Sequence, residues 1–236
     1  MWSLVTRLVF VHGSVGNADL TWSEQRPLAD RYECVFLTRG GYPPKPPLER
    51  IDFDEQAEDV AAELRDGDHL VGHSYGGVIS LLAAARGARL ASLTGSEPPA
   101  FGVARGNPAV EEFLERIGPF RANEPSPREY LAFFLPLVGS ALTVPDPLPP
   151  LLDQGARAAL AERSPHEAEI PLDELAAMRF PKLVISGAHS AAFDAVCDVL
   201  ESTLSAERAV LPGAGHSLPR ARGYNDVLVH FVDRAS

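Results

Sequence analysis

The chain has 236 residues, of which 45% are hydrophobic and 22% are charged, a balance typical of a globular protein with one large core. Its formal net charge of −11 argues against a nucleic-acid partner. The two cysteines, Cys34 and Cys197, predict buried thiols in a reducing compartment rather than a disulfide framework. Neither a signal-peptide pattern nor an apolar run of membrane-spanning length is visible, so we expect a cytoplasmic protein with no membrane partner.

Apolar and β-branched runs recur along the chain and predict short buried strands. These runs lie at Leu4–Val11, Cys34–Leu37, Leu70–Val71, Leu90–Thr94, Lys182–Ser186 and Glu207–Leu211. Helical patterns and short connections separate most of them. Such alternation predicts an α/β fold, a three-layer sandwich in which a parallel sheet is covered by helices on both faces. The carboxyl ends of the strands should share one edge, where ligands bind in open α/β sheets.

The segment 98–181 has a different character, because it contains helical patterns and prolines but no strand signal. We expect a helical lid inserted into a core that consists of residues 1–97 and 182–236. Most of the apolar residues in this segment should pack the lid onto the sheet, and a few could line an apolar pocket. The candidates are Phe113, Phe120, Tyr130, Phe133, Phe134 and Leu137.

The stretch Gly72-His73-Ser74-Tyr75-Gly76-Gly77 follows an apolar run and precedes an Ala/Leu-rich helical pattern. A strand, a tight Gly-x-Ser-x-Gly turn and a helix form the setting of a nucleophilic serine. Gly72 and Gly76 give the turn room, since neither carries a Cβ. A Gly-rich turn with a surface serine is the alternative, but the flanking strand and helix favour Ser74 as a nucleophile.

Two further motifs accompany this turn in the chain. Val11-His12-Gly13-Ser14 follows the first predicted strand, and Gly213-Ala214-Gly215-His216 follows the last one. Taken together, the three motifs resemble the α/β-hydrolase superfamily over nearly the whole chain. The family sheet usually has eight strands, and the first predicted strand here corresponds to the third of them, so we expect the two leading strands to be absent. The resemblance therefore implies about six strands, mostly or fully parallel, and a lid at 98–181.

The resemblance implies that Ser74 is the nucleophile, that His216 is the general base, and that the N–H groups of Tyr75 and Ser14 form an oxyanion hole. The chemistry agrees, because a serine hydroxyl needs a base to take its proton and histidine titrates near neutral pH. His12 is interpreted as a turn-stabilising residue and His73 as packing beside the elbow. A solvated or structural role is expected for His69, His166, His189 and His230.

The acid that should orient His216 is less clearly marked in the sequence. Many family members carry an aspartate three residues after the glycine that ends the penultimate strand, but Ser190 stands there. Glu97 follows the fourth strand and should lie at the same sheet edge as Ser74, so we favour it. Asp194 is the alternative, although a first-turn aspartate commonly complements a helix dipole. A triad without an acid is the third hypothesis.

These residues predict a serine hydrolase that acts on a small-to-medium hydrophobic ester, thioester or lactone. No metal or organic cofactor is implied, because no metal-ligand motif appears. The fold also hosts other functions. Carbon–carbon bond cleavage or hydroxynitrile-lyase chemistry is one alternative, and a ligand receptor with little turnover is another. The absence of an aspartate at Ser190 is what supports the receptor.

Overall fold

Within the described residues, a six-stranded sheet forms the centre of the molecule. The computed structural model describes residues 6–140 and 142–235. The strands are β1 (Arg7–Val11), β2 (Glu33–Leu37), β3 (His69–His73), β4 (Ser92–Ser96), β5 (Lys182–Ser186) and β6 (Glu207–Val210). They lie in the order β2-β1-β3-β4-β5-β6 and every neighbouring pair is parallel. The predicted α/β fold with about six parallel strands is confirmed; Leu4 and Val5 of the first predicted strand lie outside the described residues.

Helices cover the sheet on both sides. The α-helices are α1 (Ala18–Thr21), α2 (Phe53–Glu63), α3 (Tyr75–Ala84), α4 (Pro108–Ala122), α5 (Pro127–Leu137), α6 (Pro150–Ala161), α7 (Leu172–Ala177), α8 (Ala191–Leu204) and α9 (Tyr224–Ala235). Short 3₁₀ helices lie at Ser23–Asp30, Phe101–Ala104, Pro165–Glu167 and Leu218–Arg220. Within the described residues, no helix is both long and apolar enough to cross a membrane.

Side chains that alternate along the strands pack into two hydrophobic cores, one on each face of the sheet. Val9 and Leu70 pack on one face with α2, α3 and α8, whereas Phe10 and Val71 pack on the other with α9. A central strand of a parallel sheet with two covered faces is buried on both sides, which is why β1 contains the continuous apolar run Leu8–Val11. The three-layer arrangement follows directly from this alternation.

The segment 98–181 contains α4 to α7 and, among its described residues, no strand element. One isolated parallel bridge joins it to the loop before α2. Ile51 N–H donates to the Ala161 carbonyl oxygen at 2.9 Å, and Arg163 N–H donates to the Ile51 carbonyl oxygen at 2.8 Å. The end of α6 is thereby fixed close to the sheet edge that carries the candidate site. The function of this segment as a lid stays a prediction.

Candidate active site

Ser74 lies at a sharp turn between β3 and α3. Its backbone has φ 53° and ψ −128°, a conformation that residues with a side chain seldom adopt. Ser74 N–H donates to the Ser96 carbonyl oxygen of β4 at 2.9 Å. A Cβ on Gly76 would lie 2.3 Å from the Val11 carbonyl oxygen, and one on Gly72 would lie 2.6 Å from that of Gly76. Only glycines permit this close approach of strand and helix, which presents the serine at the carboxyl edge of the sheet.

His216, from the loop between β6 and α9, is buried beside the serine. Its Nε2 lies 2.8 Å from Ser74 Oγ, within reach for proton transfer. Burial is the main cause that lowers the pKa of His73 to about 3, so this ring is neutral. His73 Nε2–H donates to the His216 carbonyl oxygen at 2.8 Å, and the Phe193 ring lies 4.5 Å from the His216 ring. His216 is therefore held through both its backbone and its ring.

Glu97 directly follows β4, and its side chain is fully buried. Its Oε2 lies 2.7 Å from His216 Nδ1, and Gly187 N–H donates to its Oε1 at 2.7 Å. Burial raises the pKa of Glu97, but hydrogen bonds from His189, His216 and Gly187 outweigh that effect and bring the pKa to about 2. The ionised carboxylate makes Nδ1 the protonated nitrogen of neutral His216. The bare Nε2 is then directed at Ser74.

Asp194, the alternative acid, lies in the first turn of α8 and faces another partner. Its Oδ1 is 3.3 Å from Nη2 of Arg208. Ser190, which stands where the family aspartate was expected, is the N-cap residue of the same helix. The geometry therefore favours Glu97 over Asp194 as the carboxylate partner of His216.

His189 also lies at the site, although the sequence predicts a solvated or structural role for it. It lies in the loop between β5 and α8, with Nδ1 3.3 Å from Glu97 Oε1 and Nε2 3.0 Å from the Val138 carbonyl oxygen. Its interaction with the Glu97 carboxylate raises the pKa of His189 against the opposing effect of burial. The sequence signal that could have found it is its position just after the carboxyl end of β5.

Glu97, His189 and His216 offer one carboxylate and two imidazoles whose nearest donor atoms lie within 4.8 Å of one another. These are donor types that a zinc ion accepts. However, His216 Nδ1 already lies 2.7 Å from Glu97 Oε2, and His189 Nδ1 lies 3.3 Å from Oε1. The cluster therefore fits a carboxylate that is shared by two imidazoles better than a metal centre.

The two predicted oxyanion donors flank Ser74. Tyr75 is the first residue of α3, so its N–H has no acceptor within the helix. Ser14 follows Gly13, where a Cβ would lie 2.7 Å from the Cβ of Ser74. This contact brings the loop after β1 against the serine. The amino end of α3 also favours negative charge at this place.

A buried carboxylate connects the Ser14 loop to the end of α6. Glu162 Oε2 accepts a hydrogen bond from Ser14 Oγ at 2.5 Å. Its Oε1 accepts one from the Tyr42 hydroxyl at 2.7 Å and pairs with the Arg39 guanidinium. Burial raises the pKa of Glu162, and Arg39 with the two hydroxyls opposes that effect. Removing one member would leave a buried polar group without its partner, so the network fixes the loop firmly.

His12 supports the same loop from the other side. Its Nδ1–H donates to the Gly13 carbonyl oxygen at 2.8 Å, while Arg39 N–H donates to its Nε2 at 3.1 Å. Burial is the main cause that lowers the pKa of His12 well below its usual range, so the ring stays neutral. These contacts fit a turn-stabilising role.

Two cavity lobes, each of about 100 Å³, meet at Ser74 and His216. The first lobe opens past aliphatic side chains. The second is lined by aromatic and aliphatic side chains and also by the polar side chains of Arg121, Glu162 and His166. The aliphatic set is Leu20, Leu135, Leu142 and Leu152, and the aromatic set is Tyr75, Phe101, Phe113, Tyr130, Phe134 and Phe193. Lobes of this size suit short apolar groups, such as a few carbons or one ring.

The chain belongs to the alpha/beta hydrolase family, whose sequence pattern matches residues 8–227. The match spans the loops that carry Ser14, Ser74, Glu97 and His216. No curated protein sequence matches the chain significantly.

Solved structures share the fold at low sequence identity. NosK from Streptomyces actuosus is 20% identical, with 98% of this chain and 99% of that chain covered and a TM-score of 0.68. A lipase-esterase related protein from Clostridium acetobutylicum is 17% identical, with 97% and 93% covered and a TM-score of 0.70. MenH from S. aureus is 16% identical, with 98% and 94% covered and a TM-score of 0.70. These likenesses establish the fold of the hydrolase family.

Proposed function

We propose that the protein is a serine hydrolase that cleaves a small-to-medium hydrophobic ester, thioester or lactone through an acyl-enzyme on Ser74. The observation that carries this proposal is the unbroken chain of contacts from Ser74 Oγ to His216 Nε2 (2.8 Å) and from His216 Nδ1 to Glu97 Oε2 (2.7 Å). Membership of the hydrolase family and the esterase-related name of one similar structure support it.

In the proposed reaction, Ser74 Oγ attacks the substrate carbonyl carbon while His216 Nε2 takes the hydroxyl proton. The N–H groups of Tyr75 and Ser14 stabilise the resulting oxyanion. His216 then gives its proton to the leaving alcohol or thiol, and the acyl group stays on Ser74. A water molecule, deprotonated by His216, attacks the acyl-enzyme and releases the acid. Glu97 remains ionised and stabilises the imidazolium in both halves of the reaction.

The two lobes suggest how the substrate is divided. Both reach Ser74 and His216, so one lobe can hold the acyl group while the other holds the leaving group. Their apolar linings favour uncharged groups. We therefore expect short p-nitrophenyl esters to be better substrates than long-chain ones.

Substitution of the nucleophile tests this function. Ser74→Ala should lower kcat/KM for a short p-nitrophenyl ester by several orders of magnitude, about 10⁶-fold in the best-studied serine enzyme. A fluorophosphonate probe should label the parent protein and not Ser74→Ala. Ser202→Ala removes an exposed hydroxyl of α8 and is the matched control. Undiminished ester turnover by Ser74→Ala would contradict the proposal.

The alternatives give different results in the same assays. Carbon–carbon bond cleavage or hydroxynitrile-lyase chemistry would use Ser74 and His216 without a lasting acyl intermediate, so no acyl-enzyme would be trapped by mass spectrometry. A receptor with little turnover would leave the serine unreactive toward the probe. The receptor hypothesis drew on the missing aspartate at Ser190, and the 2.7 Å contact of Glu97 with His216 weakens that basis.

A further inference from the structure

We propose that His189 is a protonated positioning residue that shares the Glu97 carboxylate with His216 and limits activity at alkaline pH. The inference rests on the proposed function for its effect on catalysis. The charge of His189 itself is an independent claim about the folded protein.

The argument begins with the two nitrogens of the His189 ring, each of which faces an oxygen that can only accept. Nε2 lies 3.0 Å from the Val138 carbonyl oxygen, and Nδ1 lies 3.3 Å from Oε1 of Glu97. A neutral imidazole has a single N–H, so one of its lone pairs would face an oxygen lone pair. An imidazolium presents an N–H to each oxygen: Nε2–H donates to the Val138 carbonyl oxygen, whereas Nδ1–H forms an ion pair with Glu97 rather than an aligned hydrogen bond. The cation is therefore the form that matches this environment.

The charges around His189 favour the same form. Glu97, at the end of β4, is ionised and faces Nδ1, and Asp194 on α8 adds a second negative charge nearby. Arg208 lies 3.3 Å from Asp194 and offsets part of that charge. The His216 ring lies 6.1 Å from the His189 ring and is a further titratable neighbour, and the α5 end contributes the Val138 carbonyl. The negative groups outnumber the positive one, and they agree with the raised pKa of His189.

Because His189 and His216 share the Glu97 carboxylate, its two oxygens have different partners. Oε1 is occupied by Gly187 N–H at 2.7 Å and by His189, which leaves Oε2 for His216. The positive charge on His189 also offsets part of the carboxylate charge that stabilises the imidazolium of His216. Protonated His189 thus holds the carboxylate in place beside His216.

Loss of the His189 proton to water would break this arrangement. A neutral ring that keeps its donor to Val138 presents a bare Nδ1 to the Glu97 carboxylate, so the ion pair between His189 and Glu97 is lost. Val138 lines both cavity lobes, so a change there also reaches the substrate. Gly139 is packed against the same ring, since a Cβ on Gly139 would lie 2.3 Å from His189 Cδ2. Activity should therefore decline as the pH rises through the His189 pKa.

His189→Gln tests the effect on catalysis, because glutamine offers an amide donor but cannot carry the charge. The pH profile of kcat/KM for p-nitrophenyl acetate should show an alkaline decline in the parent protein. In His189→Gln that decline should be absent and the plateau should be about tenfold lower. His230→Gln replaces an exposed histidine on α9 and should give the parent profile. A His189→Gln profile that superimposes on the parent profile would overturn the proposal.

NMR of isotope-labelled histidine rings tests the charge of His189 directly. It needs no substrate, and it does not depend on whether a variant folds. Both nitrogens of His189 should be protonated at pH 7, and the ring should titrate above its ordinary value of about 6.5. A neutral His189 at pH 7 would sink the proposal whatever the enzyme does. Conversely, a cationic His189 in a protein that cleaves no ester would refute the proposed function while leaving the charge assignment supported.

Discussion

At the scale of single residues, Glu97 is the group around which the candidate site is arranged. It is buried without exposure to solvent, and its two oxygens contact His216, Gly187 and His189. Sequence patterns could suggest Ser74, His216 and the choice between two acids, because each follows a predicted strand end. They could not suggest the contact of His189 with Glu97, since that contact depends on how three loops from distant parts of the chain fold together.

A comparison of the two acids belongs to this scale. Glu97→Gln should lower kcat by roughly 10³- to 10⁴-fold, because the amide cannot hold the His216 tautomer or stabilise its cation. Asp194→Asn should change kcat less than about threefold, since its carboxylate faces Arg208 rather than His216. Steady-state kinetics with a p-nitrophenyl ester measure both, after circular dichroism has established that each variant is folded. The reverse ranking would mean that Glu97 is not the acid.

At the scale of elements, strand ends decide where the functional side chains lie. The sequence predicts β3 at Leu70–Val71 and β4 at Leu90–Thr94, whereas the strands run over His69–His73 and Ser92–Ser96. Small and polar residues such as Gly95 and Ser96 look like a turn in isolation. Pairing with β3 and β5 keeps them in the sheet, because His73 pairs with Ser96 and Ser96 pairs with Ile185. Composition alone cannot predict this, since tertiary pairing overrides local preference.

The packing of α6 against the loop that carries Ser14 gives a test at the same scale. A Cβ on Gly155 would lie 1.9 Å from the Val15 carbonyl oxygen, so Gly155→Ala must displace the loop that carries Ser14. We expect a loss of about 1–3 kcal/mol in the free energy of unfolding, together with a lower kcat/KM. Gly118→Ala in α4 is the control for stability, because nothing lies within 4 Å of its Cβ position.

Gly118→Ala should raise the free energy of unfolding by about 0.5–1 kcal/mol, as alanine favours a helix interior over glycine. Urea titrations of the two variants and the parent measure both changes. Equal stability of Gly155→Ala and Gly118→Ala would show that α6 does not constrain the loop.

At the scale of the whole molecule, the parallel sheet gathers distant parts of the chain at one edge. The loops that follow β1, β3, β4, β5 and β6 bring Ser14, Ser74, Glu97, His189 and His216 together. Order along the chain and the period of apolar residues predict this edge well, because all crossovers in such a sheet have the same hand. The two cavity lobes were beyond prediction, since their shape depends on side chains from four helices and several loops.

The buried histidines give the whole molecule a predictable response to acid. Burial, as the main cause, lowers the pKa of His69 to about 4 and that of His73 to about 3, and it lowers the pKa of His12 well below its usual range. The unfolded chain binds these protons near pH 6.5. Stability from these three residues is therefore present above pH 6.5 and is lost as the pH falls toward the folded-state values.

Urea unfolding at pH 7, 6 and 5 measures this loss, and the midpoint should fall at each step. Raised pKa values act in the opposite sense, so His189 adds stability below about pH 6.5 and loses it as the pH rises through its folded-state pKa. His69→Gln should reduce by one the number of protons taken up on unfolding and so weaken the dependence of stability on pH. His230→Gln, which replaces an exposed residue, should not. A midpoint that stays constant from pH 7 to pH 5 would contradict the three buried neutral rings.

The position of Glu97 just after β4, rather than after β5, has a consequence for how such proteins are recognised. Adjacent strands are about 4.8 Å apart. A carboxylate that follows either of two neighbouring strands can therefore reach the same imidazole. A motif search that requires an aspartate at the position of Ser190 would reject this chain as a relative without a catalytic acid. A search that accepts an acidic residue after the carboxyl end of any strand, instead of at one alignment position, would retain this chain.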